Sequence, residues 1–286
     1  MYAYRHKLST IRAVQVDVGG IPLSYEVRGN GPPLMLIAGT AFPGATWDDD
    51  LVAPLAADHT VLTFDHRATG ATPATEERLS TQLFARDAVG LMDALGLPPA
   101  HVLGHSMGGR VAQWIALERP ERVRSLILAA SGPGQFRDDK PVTRGVPLKT
   151  ALGLIEHGYE RYMREHIADT FFTPEFIAAR PDRVERLFEL FWSHRPDLEG
   201  YLRHVIARQE HQTTERLGEL RMAALVLIGD RDTRVMGTGS HWEQSAFLAE
   251  HLPNATLRVV EDTAHGYFWQ RPERTVEILR EWTAAH

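Results

Sequence analysis

Leu34-Met35-Leu36-Ile37-Ala38 is an apolar run without alternation, and no other stretch of the 286-residue chain constrains the fold as much. A strand of this kind is buried on both faces, as happens in a parallel sheet covered by helices on both sides. The surrounding pattern agrees. Residues 14–18 and 23–27 flank Gly19-Gly20 and read as a hairpin. Further strands are expected over 61–65, 101–104, 123–130, 223–228 and 256–260, making eight with the run at 34–38. Helical spacing falls between them, over 47–57, 80–95, 107–118, 245–252 and 273–282. From Pro133 to Gly218 the alternation stops, and helical stretches broken near Gly145, Gly158, Pro174, Pro181 and Pro196 take its place. The expected organisation is an α/β core made of residues 1–132 and 219–286, with residues 133–218 as a helical insert after the sixth strand.

Composition excludes several kinds of chemistry. There is no cysteine, so disulfides, thiolate metal sites and cysteine nucleophiles are all ruled out. The net charge of −6, with both signs interspersed, offers no footprint for nucleic acid or an anionic membrane. The opening MYAYRHKLST has no apolar core of a secretory signal, and no run approaches the length of a membrane span. A cytoplasmic protein acting on small molecules is the expectation.

Gly104-His105-Ser106-Met107-Gly108 fits G-x-S-x-G and lies between an expected strand and an expected helix. That placement matters because the serine must sit on a sharp, strained turn, with glycines allowing strand and helix to approach closely. Gly108, Ala112 and Ala116 then give the helix a small-residue face. An ordinary helix-capping serine is the plainer alternative. A hydroxyl nucleophile needs a base, and the base an orienting acid. Asp232 follows the strand at 223–228 and His265 follows the strand at 256–260, in the order the architecture demands. Asp230 in the same turn is the alternative acid, and Asp262 also precedes the histidine closely. Of the remaining histidines, His157, His166, His194, His204 and His211 read as surface residues, and His105 as a core residue.

With these residues in place the chain resembles the α/β-hydrolase superfamily, over nearly all of its length outside the insert. Asp65-His66-Arg67-Ala68-Thr69-Gly70-Ala71-Thr72 is similar to the family's loop after the fourth strand, with Ala68 where a glycine is usual. Ala38-Gly39-Thr40 stands at the oxyanion turn, with Ala38 in place of the usual histidine. The resemblance implies an α/β-hydrolase fold with a helical cap, and a triad of Ser106, Asp232 and His265. It also implies an oxyanion hole made by the backbone N–H groups of Thr40 and Met107. No metal or organic cofactor is expected, since no H-E-x-x-H, Walker loop or dinucleotide fingerprint occurs.

The implied reaction is hydrolysis of a carboxylic ester or lactone with an apolar part. Cleavage of a C–C bond, perhydrolysis, and a receptor using a retired hydrolase pocket are the alternatives. Nine aromatic residues between Tyr159 and Tyr201 exceed what the chain-wide 8% would place there. They would either line an apolar pocket or build the insert's own core. Gly39, His105, Phe172, Trp192 and Tyr267 are the candidates for contact with substrate.

Overall fold

The computed structural model describes residues 14–137, 139, 144–236 and 239–286. The opening segment 1–10, read above for a leader, lies outside the described residues. β1 (Val14–Val18) and β2 (Ile21–Arg28) form the expected antiparallel hairpin at one edge of the sheet. β3 (Pro33–Ile37), β4 (Thr60–Phe64), β5 (Ala100–His105), β6 (Val123–Ala129), β7 (Ala224–Gly229) and a later strand, Ala255–Val260, complete it. The short strands β8 (Val235–Met236) and β9 (Gly239–Ser240) form a separate hairpin, so Ala255–Val260 is β10. The eight-stranded order is β1-β2-β4-β3-β5-β6-β7-β10, parallel from β4 onward.

Every residue of β3 is buried, and successive residues serve opposite faces. Leu34 and Leu36 pack with α1 (Asp49–Leu55) and with the C-terminal helix, Pro272–Ala285. Met35 packs on the other face with α2 (Thr81–Ala94), α3 (Met107–Glu118) and the helix His241–His251. Between β6 and β7 come α4 (Leu148–Phe171), α5 (Pro174–Ala179), α6 (Pro181–His194) and α7 (Leu198–Gln209). His241–His251 is thus α8, Tyr267–Gln270 α9 and Pro272–Ala285 α10. The breakers act where the sequence puts them. Gly158 kinks α4 at φ 73°, and Pro174 and Pro181 open α5 and α6. No helix among the described residues is long and apolar enough to cross a membrane.

Some boundaries shift for local reasons. α1 begins at Asp49 rather than near Trp47, because the Asp48 side chain accepts the Asp49 N–H and caps the helix there. α8 begins at His241 rather than Ser245, because Ser240 and Glu243 form a reciprocal capping box.

His204 and His211 depart from the surface placement expected of them: both are buried. His204 Nε2 donates to the Arg67 carbonyl at 2.8 Å while its Nδ1 accepts the Ala41 N–H at 3.3 Å. α7 is thereby fastened to the loops after β4 and β3. His211 bridges the Thr81 and Thr213 hydroxyls. Burial holds the His204 imidazole down to about 4 and His66, also buried, to about 3. His211 is depressed well below its ordinary value for the same reason.

Two predictions follow from this packing. An added Cβ on Gly108 would lie 2.1 Å from the Ile37 carbonyl oxygen, so Gly108→Ala must push α3 off β3. A loss of about 2–3 kcal/mol is expected, read as a lower midpoint in urea. The buried histidines set the acid limit. The unfolded chain binds protons near pH 6.5 and the folded chain only near 4 or below. Their contribution is therefore complete above about pH 6.5 and drains away as pH falls toward 4. Urea midpoints should drop steadily between pH 7 and 5, and a flat profile would contradict the burial of these rings.

Candidate active site

The chain runs from β3 to β4 on one side, then crosses to β5 on the other, so β3 and β5 bound a crevice at their C-terminal ends. In open α/β sheets this is where ligands bind. Ser106 stands at its centre, between β5 and α3, with φ 55° and ψ −116°. A side-chain-bearing residue in such a conformation costs about 1–3 kcal/mol and needs outside support. Its N–H donates to the Ala129 carbonyl at 2.8 Å, and its carbonyl accepts from the Ser131 hydroxyl at 2.7 Å and the Gly109 N–H at 3.1 Å. Gly104 belongs to the same turn, since a Cβ there would lie 2.1 Å from the Gly108 oxygen.

Asp232, in the loop after β7, is buried, and its Oδ2 accepts a hydrogen bond from His265 Nδ1 at 2.6 Å. This selects the tautomer that leaves His265 Nε2 as a base. The loop carrying His265 is tied to the end of α4, by His265 N–H to the Thr170 carbonyl and Gly266 N–H to the Phe171 carbonyl. Burial works against the Asp232 charge, but His241 and His265 together outweigh it and hold the carboxyl well below the usual carboxylate range. Asp230 does something else: it accepts the Thr263 N–H at 3.1 Å and fixes the neighbouring turn. Asp262 is exposed and pairs with Arg231.

His241 escaped the sequence reading as a partner of the acid. From the first turn of α8 its Nδ1 donates to the other Asp232 oxygen, Oδ1, at 3.1 Å, and its ring stacks on His265 at 4.1 Å. The signal was present, because Ser240-x-x-Glu243 places the start of α8 beside the acid's loop. Asp232, His241 and His265 also form a cluster whose ligand atoms lie within 4.8 Å of one another. Those contacts have hydrogen-bond lengths, however. Two ligands on a tetrahedral zinc would stand about 3.3 Å apart, given metal–ligand bonds of roughly 2.0–2.1 Å. At 2.6 Å the His265 nitrogen and the carboxylate share a proton rather than an ion.

Ser106, Gly39, Thr40 and His265 line one cavity. No hydrogen bond joins Ser106 to His265 among the described residues; such contacts commonly tighten only when substrate is bound. The backbone N–H groups of Thr40 and Met107 have no acceptor among the described residues. Ala68, standing where the resemblance expects glycine, takes a left-handed φ of 63°. The flanking Asp65 fixes its loop by accepting the Gly44 and Ala71 N–H groups.

The other expected contact residues lie elsewhere. His105 is buried beneath the site, donating from Nε2 to the His265 carbonyl at 3.0 Å. Phe172 stacks on Phe176 and faces a separate outer pocket. Trp192 stacks on Phe188 under the Arg195 guanidinium, and Tyr267 is buried. Phe42, Phe171 and Tyr201 supply the aromatic wall of the cavity instead. Most of the aromatic surplus therefore packs the helical region itself. His166, expected on the surface, lines the cavity.

Comparison with known proteins bears on the fold and the family. A protein named "Putative non-heme bromoperoxidase BpoC" from Mycobacterium tuberculosis is 40% identical over 278 residues, covering 93% of this chain and 98% of its own length. "Putative carbamate hydrolase RutD" of Azorhizobium caulinodans is 30% identical over 261 residues, covering 91% of this chain and 94% of its own. The enol-lactonase from Burkholderia xenovorans LB400 superposes with a TM-score of 0.81 at 21% identity, covering 94% of this chain and 99% of that one. The model of the alpha/beta hydrolase fold matches residues 32–272, and the chain belongs to that family.

Proposed function

We propose that this hydrolase is a cofactor-independent serine hydrolase that cleaves a carboxylic ester or lactone through an acyl-enzyme on Ser106. The observation that carries the reading is the buried Asp232–His265 hydrogen bond on the cavity that Ser106 lines. In the first step Ser106 Oγ bonds to the carbonyl carbon and its proton passes to His265 Nε2. The imidazolium is stabilised by Asp232, and the oxyanion accepts the Thr40 and Met107 N–H groups, each worth roughly 3 kcal/mol in such chemistry. Collapse breaks the bond to the leaving alkoxide, which takes the proton from His265. Water then attacks the acyl-enzyme, its proton passing through His265 back to Ser106, and the acid leaves. His241 is a positioning residue, holding the second Asp232 oxygen so that the first stays aimed at His265. Residues 133–218 serve as a cap over the core formed by residues 1–132 and 219–286.

The resemblance to a protein named a carbamate hydrolase fits the same attack on a carbonyl carbon. The 40% identity to a protein named a bromoperoxidase favours one second reading, in which hydrogen peroxide replaces water and the acyl group leaves as a peracid. A single experiment separates these. Labelling with a fluorophosphonate should mark Ser106, followed by turnover of an ester, a lactone, a carbamate and a dienoic diketone, with and without peroxide. Ser106→Ala is expected to abolish labelling and lower turnover by roughly 10⁴-fold or more. Asp232→Asn should cost about 10⁴-fold, while Asp230→Asn stays near wild type. Labelling that survives Ser106→Ala overturns the proposal.

A further inference from the structure

The cavity at Ser106 carries a single permanently charged side chain, Arg208, near the C-terminal end of α7. Its guanidinium is partly buried and makes no ion pair or hydrogen bond among the described residues. That separates it from the other arginines of α4–α7. Arg161, Arg164, Arg183 and Arg186 each pair with a carboxylate. Arg203 donates to two backbone carbonyls. Burial pulls the Arg208 pKa below the usual arginine value, the Tyr201 and Tyr162 phenols act in the opposite sense, and Arg110 is a like charge coupled to it. A buried cation left unpaired in this way costs free energy that a bound anion returns.

The position is held firmly. Arg110 Nη1 donates to the Arg208 carbonyl at 2.6 Å and its Nη2 to Gln244 at 3.0 Å, fixing the end of α7 between α3 and α8. Tyr201 and His166 line the same cavity and add polar groups without negative charge. A guanidinium presents a planar fork of donors that matches a carboxylate. A surface arginine would extend its head into bulk water along an apolar stem. Arg208 instead shares its cavity with Ser106, Gly39 and the His265 ring.

We infer that Arg208 is the anchor for a carboxylate on the substrate, so that the enzyme acts on acyl compounds that also carry a free acid group. For turnover this rests on the serine-hydrolase reading above; for binding it does not. The carboxylate docks on Arg208 while the acyl carbonyl reaches Ser106.

Two measurements test it. In the first, kcat/KM is measured for the monomethyl esters of succinate, glutarate and adipate. Each is set against a neutral analogue in which isopropyl replaces the carboxylate. Wild type should prefer at least one acid ester, and Arg208→Gln should reduce that preference ratio by about 10- to 100-fold. Arg208→Lys, which keeps the charge and loses the fork, should fall between them. An unchanged ratio, or no preference in wild type, overturns the inference. In the second, the three dicarboxylates are titrated into Ser106→Ala with and without Arg208→Gln, with folding of each variant checked by its melting curve. Binding weakened at least tenfold by Arg208→Gln supports the subsite even if none of the esters is turned over, in which case labelling of Ser106 decides the hydrolase reading by itself. Binding that is absent, or equal in both proteins, removes the subsite whether or not esters are cleaved.

Discussion

The contact on which everything else rests is the approach of α3 to the C-terminal ends of β3 and β5. Gly108 lies where any side chain would strike the Ile37 carbonyl, and Gly104 where one would strike Gly108. Only with both glycines can the backbone reverse within one residue and leave Ser106 at φ 55° above the sheet edge. The strained conformation is held in place because its N–H and carbonyl are both engaged by β6 and the segment after it. Helix, crevice and the free Met107 N–H are consequences of one close packing.

Histidine chemistry in this chain is governed by which partner each ring finds. His265 and His241 share one buried carboxylate, one on each oxygen. His105 donates to a carbonyl, is buried with no carboxylate of its own, and is driven well below its ordinary pKa, so it stays neutral beneath the site. His204 and His211 act as neutral connectors between loops and helices. The same side chain thus serves as carboxylate partner, brace and structural bridge, and the difference lies in whether a carboxylate or a backbone and hydroxyl group faces it.

Much of this was legible in the sequence. The unalternating run at Leu34–Ala38 implied a sheet buried on both faces, and the breakers at Gly158, Pro174 and Pro181 marked the helical region. Asp232 over Asp230 is a matter of one turn: Asp230 caps it and Asp232 points inward, a difference that spacing alone does not contain. His204, His211 and His241 were harder, because helical periodicity tells which residues share a face but not which distant loop that face meets. The aromatic surplus of the helical region was visible, yet its division between wall and core was not. Phe171 lines the cavity while Phe172, one residue on, faces an outer pocket.

The site therefore has two sources with different tasks. The proposed reacting groups, Ser106, Asp232, His265 and the Thr40 and Met107 N–H groups, all come from the C-terminal edge of the sheet, where parallel strands fix their relative positions. Tyr201, His166, Phe171 and Arg208 come from α4 and α7, across the mouth of that edge. The two halves are joined by many contacts, among them His204 on the loops after β3 and β4, Arg183 and Arg186 on Asp48, Arg203 on the Thr75 and Glu77 carbonyls, and the end of α4 on the His265 loop. In this chain the charge that the helical side turns to the cavity is positive, that of Arg208.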